Sequence, residues 1–94
     1  MDITVTTLPP YEQGQTITIT TSGVNRPWIE LSAVRDGEVL LLSQHPGPQS
    51  DFVLASNGWQ SGPAVCTARA LEGEVKGNRF RTKEVAEISF DVLG

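Results

Sequence analysis

The residues best suited to catalysis in this sequence lie around its single histidine, His45. Ser43, Ser50 and Asp51 are close to it in the chain, and serine, histidine and aspartate are the side chains of a hydrolytic triad. A triad also needs rigid support for each member and a preorganised oxyanion site. Residues 44–50 include two prolines and a glycine, a composition that predicts an irregular surface crossing. We therefore predict that His45 is a solvated loop residue and that the chain is not an enzyme.

A metal or cofactor site also lacks suitable ligands. His45 and Cys66 are the only histidine and cysteine, and at 21 positions apart they cannot supply a tetrahedral N/S zinc site by themselves. No acidic stretch has the spacing of a calcium loop. Cys66 alternates in line with Ala64, Ala68 and Ala70, which predicts a small core residue rather than a nucleophile. The sequence thus predicts no metal and no cofactor.

Charge is distributed most unevenly in residues 72–84, where four of the seven basic residues fall within eight positions. Arg79, Arg81 and Lys83 alternate there around Phe80. One interpretation is a loop that binds an acidic protein surface, with Phe80 as its apolar anchor. The other is a solvated hairpin tip whose charges only keep the protein soluble. Nucleic acid is not an expected partner, because only one aromatic residue, Phe80, lies among these basic residues and the rest of the chain is acidic.

Two further features are candidates for partner contacts. Trp59 stands in an irregular crossing, where it either plugs one open end of the fold or anchors a partner, and plugging is the favoured interpretation. Threonines recur on one side of the first two predicted strands and are ordinary solvent-facing residues or part of a sheet edge that pairs with a second copy. These threonines are Thr4, Thr6, Thr18 and Thr20.

The elements that would position these residues are short strands. Apolar and polar residues alternate with a period of two, and no segment of about ten residues shows the helical period of 3.6. The predicted strands are residues 3–7, 16–21, 28–35, 39–43, 51–55, 64–71 and 85–92. Turn clusters separate them at the spacing typical of two packed sheets. The sequence therefore predicts an all-β, seven-stranded antiparallel sandwich.

Length and composition are those of one small domain. The 94 residues, 38% hydrophobic and 19% charged, fit a single core spanning residues 1–94. No apolar run approaches the roughly 18 residues of a membrane span, and the net charge of −4 argues against general nucleic-acid binding. The first residues lack the basic region and apolar stretch of a secretory signal. We expect a complete product made in the cytoplasm, with a domain excised from a longer protein as the alternative.

The chain resembles the immunoglobulin-like superfamily over nearly its whole length. Trp28 opens the third strand, where such domains commonly hold a core tryptophan, and the segment around Cys66 resembles their sixth strand. The partner cysteine expected on the second strand is replaced by Ile17 or Ile19, and Ala64 stands where a corner tyrosine would precede the cysteine. The resemblance implies a disulfide-free immunoglobulin-like sandwich.

Small free-standing sandwiches of this type are similar to accessory proteins of tailed bacteriophage particles. This resemblance implies a non-catalytic module located on a virion, a capsid decoration or minor capsid or tail protein that contacts a major capsid or tail protein through loops and sheet edges. The candidate contact residues are Arg79, Phe80, Arg81, Lys83 and Trp59. The alternative is an adhesion or carbohydrate-binding module, which would need an exposed aromatic platform such as Trp28 with Trp59. No membrane partner is expected, and a homo-oligomer is compatible with the sequence.

Overall fold

A computed structural model describes residues 1–55, 59 and 62–94 of the chain. Within these residues the secondary structure is entirely β, and no helix is present that could cross a membrane. The all-β prediction is confirmed for this part of the chain. The strands are β1 (Asp2–Val5), β2 (Tyr11–Glu12), β3 (Thr16–Ser22), β4 (Pro27–Arg35), β5 (Glu38–Pro46), β6 (Gln49–Val53), β7 (Ala64–Lys76) and β8 (Arg79–Leu93).

The strands form two sheets that share one core. The three-stranded sheet has the order β1-β3-β6, and the five-stranded sheet has the order β2-β8-β7-β4-β5. All neighbouring pairs are antiparallel except β2 and β8, which are parallel. Buried residues come from both sheets: Ile17, Ile19 and Phe52 from the smaller sheet, and Ile29 and Leu31 from the larger. Each sheet thus covers the apolar face of the other, as two packed sheets require.

The alternation of residue types decides which face of each strand is buried. On β4, Ile29, Leu31 and Ala33 are fully buried, and on β7 the small side chains predicted to face inward do so. The latter are Ala64, Cys66, Ala68 and Ala70. We call the opposite side of the five-stranded sheet its outer face.

Between β4 and β5, Asp36 and Gly37 both have positive φ, as a two-residue type I′ hairpin requires.

Three details differ from the sequence prediction. The structure has eight strands rather than seven, because Tyr11–Glu12 adds a short strand parallel to β8. The strand β5 continues to Pro46, so the predicted crossing at residues 44–50 shrinks to Gly47 and Pro48. The last two strands are also longer than predicted, and they meet at a two-residue turn instead of a charged loop. In the second and third cases strand pairing extends through polar residues that alone do not indicate a strand.

Trp28 does not occupy the core position that the family resemblance implies. It alternates with the buried Ile29 on β4, is only half-buried, and takes no part in the core cluster. Its strand neighbours are Pro46 on β5 and Leu71 on β7. Trp28 therefore lies on the outer face of the five-stranded sheet.

Candidate functional site

The segment with the highest density of basic residues forms a projecting hairpin. The last residue of β7 paired with β4 is Glu72, beyond which β7 and β8 pair only with each other. We call residues 72–83 the arm. Its turn consists of Gly77 and Asn78, and Gly77 has a φ of +66°, as the first central residue of a type II′ turn requires.

The register gives the arm two different faces. Glu74 lies opposite Arg81, and Lys76 lies opposite Arg79, so these side chains share one face with Glu72 and Lys83. Val75 lies opposite Phe80, and Gly73 lies opposite Thr82, on the other face. Because side chains alternate along a strand, the face with Val75 and Phe80 continues the outer face of the sheet through Leu71.

Only part of the charged face is available to a partner. Arg81 Nε lies 3.7 Å from Glu74 Oε2, and Lys83 Nζ lies 3.8 Å from Glu72 Oε2. Within the described part of the chain, Lys76 and Arg79 form no ion pair. Exposed pairs contribute little to stability, about 0–1 kcal/mol. The uncompensated positive charge therefore lies at the tip of the arm, on Lys76 and Arg79.

The apolar face of the arm is open to solvent. Val75 is 56% and Phe80 57% exposed. The ring of Phe80 lies over Gly73, whose backbone N–H donates to the carbonyl oxygens of Asn25 and Arg26 at 3.2 Å. The base of the arm is thus held by backbone contacts, while its apolar pair remains uncovered.

The strand geometry separates residues that the sequence prediction grouped together. Arg79, Arg81 and Lys83 were expected to surround Phe80 in one binding loop, but the alternation of a strand places Phe80 on the face opposite all three. One partner surface cannot engage Phe80 and these three side chains from the same direction. The alternation of residue types with a period of two in residues 72–83 could have predicted the two faces. The many charged residues make this alternation hard to recognise.

Trp59 is buried rather than presented to a partner. It is 2% exposed and belongs to the core cluster. Its Nε1 donates to the Gly62 carbonyl at 3.0 Å, and its own carbonyl accepts from Gln13 Nε2 at 2.9 Å. The Trp59 side chain is therefore buried, as the plugging interpretation requires. It forms no exposed aromatic platform with Trp28. The crossing predicted around it includes residues 56–58, 60 and 61, which lie outside the described residues.

His45 and its neighbours do not assemble a triad in the structure. His45 is a half-buried residue of β5 rather than a loop residue, and its ring centroid lies 4.9 Å from that of Phe52. The Ser50 hydroxyl donates to the Pro46 carbonyl at 2.6 Å, and Asp51 accepts from the Thr18 hydroxyl at 2.8 Å. No group of three or more potential metal ligands occurs in residues 1–55, 59 and 62–94.

Cys66 is fully buried in the core. Burial raises the pKa of its thiol from 9.0 to about 11, because the thiolate would lose its hydration. The thiolate is the reactive form, so at neutral pH the Cys66 side chain is an inert core group.

The sequence analysis missed an apolar patch on the outer face, at the end of the sheet away from the arm. Val39, Val34 and Val65 are direct neighbours across β5, β4 and β7, and Leu41 is next to them on β5. Val39 is 65% and Leu41 62% exposed. We call these four residues the apolar patch. The apolar patch could have been predicted from residues 39–42. All four are apolar, so a strand there must place apolar side chains on both of its faces.

A charged cluster, which we call the Arg69 cluster, lies between the apolar patch and the arm. Arg69 Nε lies 3.2 Å from Glu84 Oε1 and 3.5 Å from Glu87 Oε2, and Arg69 Nη1 lies 4.0 Å from Glu30 Oε1. A hydrogen bond with Glu87 raises the pKa of the Glu84 carboxyl, and Arg69 only partly opposes this shift. Three carboxylates around one guanidinium leave the centre of the outer face negatively charged.

The outer face of the five-stranded sheet thus combines the apolar side of the arm, the Arg69 cluster and the apolar patch. No family model, no curated protein and no solved structure matched the chain in the three comparisons that were made.

Proposed function

We propose that this chain is a non-catalytic module that attaches to a larger protein assembly through the arm. The observation that carries the proposal is the pair Val75 and Phe80, more than half exposed on a hairpin that extends beyond its sheet. Phenylalanine is among the aromatic residues enriched at the cores of protein interfaces. Lys76 and Arg79 lie at the tip on the opposite face of the arm, from where their charge would increase the rate of encounter with an acidic partner.

The attachment of the arm to the core supports this role. Glu72 Oε1 accepts a hydrogen bond from the Asn25 backbone N–H at 3.0 Å, and Gly73 is bonded to the same loop. A hairpin fixed at its base loses less conformational entropy on binding than a flexible loop would. Its apolar pair can therefore contribute more of its burial energy to affinity.

We further propose that the two sheets form an immunoglobulin-like sandwich without a disulfide. The sheet orders β1-β3-β6 and β2-β8-β7-β4-β5 support this. The strands β3 and β6 are neighbours in one sheet and β8, β7 and β4 in the other, as strands B and E and strands G, F and C are in that fold. Cys66 on β7 would then occupy the position of the sixth-strand cysteine of that family. Ile17 and Ile19, buried on β3 of the opposite sheet, would stand where the partner cysteine is expected.

The narrower assignment is an accessory protein of a tailed bacteriophage particle. Its support is the sequence resemblance together with the exposed docking arm. In this proposal a major capsid or tail protein is the partner, and the chain is located on the virion after synthesis in the host cytoplasm. The adhesion alternative has less support, because Trp59 is buried and cannot form a platform with Trp28.

Sedimentation of assemblies from the source cells tests the proposal. Tagged wild-type chain should co-sediment with high-mass particles in a fixed copy number, and the double substitution Val75→Ser with Phe80→Ser should release it. Val53→Ser is the matched control, because Val53 is 52% exposed on β6 of the other sheet. Wild-type chain found only in the low-mass fractions would refute the proposal, and so would equal release by the control.

A further inference from the structure

We propose that the free edge of β5 pairs with the same edge of a second copy, so that two five-stranded sheets join into one. Within the described part of the chain, β5 pairs with β4 alone and is the last strand of its sheet. It is nine residues long, against about 5–6 residues for a mean strand. A long exposed edge presents unpaired backbone donors and acceptors to any strand that matches them. The arm takes no part in this contact.

The hairpin geometry shows which backbone groups of β5 are free. In a two-residue type I′ hairpin the residues that flank the turn bond to each other, and here these are Arg35 and Glu38. Hydrogen-bonded and non-hydrogen-bonded pairs then alternate along an antiparallel ladder, so Val39 and Leu41 lie in non-hydrogen-bonded pairs with β4. The N–H and C=O groups of these two residues therefore point away from β4, to the open side of the sheet.

The other strand edges among the described residues are short or charged. The edge strands β1, β2 and β6 have four, two and five residues, and β7 is open beyond β4 only over residues 73–76. The strand β8 is open from residue 79 to residue 91, but charged side chains occur along that length. They are Arg79, Arg81, Lys83, Glu84, Glu87 and Asp91.

Charge therefore distinguishes β5 from the other long edge. Charged side chains protect an edge because pairing brings them close to the charges of the incoming strand, and like charges directly opposite each other are destabilising. Residues 39–46 contain no aspartate, glutamate, lysine or arginine. Two copies of β5 can thus approach each other along this segment without like-charge repulsion.

The second copy is the occupant because the edge is complementary to itself. An antiparallel pairing centred on Leu40 places Val39 of each copy opposite Leu41 of the other, so the free backbone groups of both residues meet in two hydrogen-bonded pairs. Directly opposite residues share a face, so the Val39 and Leu41 side chains, 65% and 62% exposed, cover each other on the outer face. Leu40, which packs partly against the core, meets its own counterpart on the inner face.

This pairing is a closed twofold dimer, since the same surface is used by both copies. The register of β5 with β4 shifts between Leu41 and Ser43, so the regular part of the edge ends at Leu41 and the contact is short. We therefore expect a reversible dimer. Because the paired strands are antiparallel, the two arms point in opposite directions and both stay available to another partner.

Disulfide trapping tests the register of the pairing. Val39 and Leu41 of different copies would lie in a hydrogen-bonded pair with Cα atoms about 5.5 Å apart, within the range of a disulfide. A concentrated mixture of Val39→Cys and Leu41→Cys chains should therefore form a covalent dimer on mild oxidation, whereas each variant alone should not. A mixture of Val39→Cys with Ser43→Cys is the matched control and should stay monomeric. Failure of the first mixture to cross-link, or equal cross-linking in all samples, would overturn the inference.

Analytical ultracentrifugation of the purified chain gives a second test. Wild type should dimerise reversibly, and Val39→Lys with Leu41→Lys should abolish dimerisation because it brings like charges together across the edge. Val53→Lys, on the other sheet, and Val75→Ser with Phe80→Ser, on the arm, should both dimerise as wild type does. A wild-type chain that stays monomeric up to about 1 mM would overturn the inference. Loss of the dimer in the arm variant would overturn it as well, because the contact would then involve the arm.

Discussion

The ring of Phe80 lies directly over Gly73, so close that a Cβ added to the glycine would stand 3.1 Å from two ring carbons. The same Cβ would stand 3.0 Å from the Cβ of Arg26. A glycine within a strand often marks such a close approach. Here it lets the loop at residues 25 and 26 and the aromatic ring pack on the backbone of the arm. The exposed position of Phe80 is therefore set by a residue seven positions earlier.

Gly73→Ala should displace the Phe80 ring and loosen the base of the arm. Overpacking of this kind typically costs about 1–3 kcal/mol, and chemical denaturation measures it as a fall in the free energy of unfolding. The control is Thr82→Ala, at the exposed cross-strand neighbour of Gly73, which should change stability by less than about 0.5 kcal/mol. Equal effects of the two substitutions would mean that the close approach does not constrain the arm.

Most of the fold could be predicted because burial and strand period agree along the chain. On β4 every second residue is buried, namely Ile29, Leu31 and Ala33. On β7 Cys66 and its alanine neighbours are buried with the same two-residue spacing. The parallel pairing of Tyr11–Glu12 could not be predicted, because two residues carry no period. The pairing depends on the distant strand β8, which local sequence does not specify.

The sequence draws attention to the charged segment but does not give its geometry. Residues 76–83 were identified by their charge, whereas their division into two faces depends on the register that places Val75 opposite Phe80. The apolar patch was missed for a related reason. Val39 and Leu41 were assigned simply to a predicted strand, and only their exposed fractions of 65% and 62% show that the described part of the chain leaves that side of the strand uncovered.

Phe52→Ala should be among the most destabilising substitutions in the chain. Phe52 is 1% exposed in the core between the two sheets, and removing such a ring costs about 3–5 kcal/mol. The adjacent Val53→Ala, on the exposed side of β6, should cost far less. Thermal unfolding of the two variants measures the difference. A Phe52 variant as stable as the Val53 variant would mean that the sheets do not share this core.

Glu84→Gln should stabilise the protein at neutral pH. In the folded chain Glu84 has a raised pKa, chiefly through its hydrogen bond with Glu87, so ionisation at pH 7 opposes folding. The stability that protonated Glu84 provides is complete below its ordinary pKa of 4.5 and is lost as pH rises through the folded value. The advantage of the variant should therefore shrink in acid. Melting temperatures from pH 3 to pH 7 measure it, and an advantage that does not depend on pH would contradict the assigned cause.

Cys66 should remain unreactive as long as the protein is folded. Its thiol is buried and its pKa is raised to about 11, so iodoacetamide at mildly alkaline pH should modify it only in denaturant. The same shift predicts alkaline destabilisation, because between pH 9 and 11 the thiol ionises in the unfolded chain but not in the folded one. The free energy of unfolding should fall with rising pH across that window, and this fall should be reduced in Cys66→Ala. Rapid alkylation of the native chain, or identical alkaline profiles for the two proteins, would show that Cys66 is accessible and that the sheets do not enclose it.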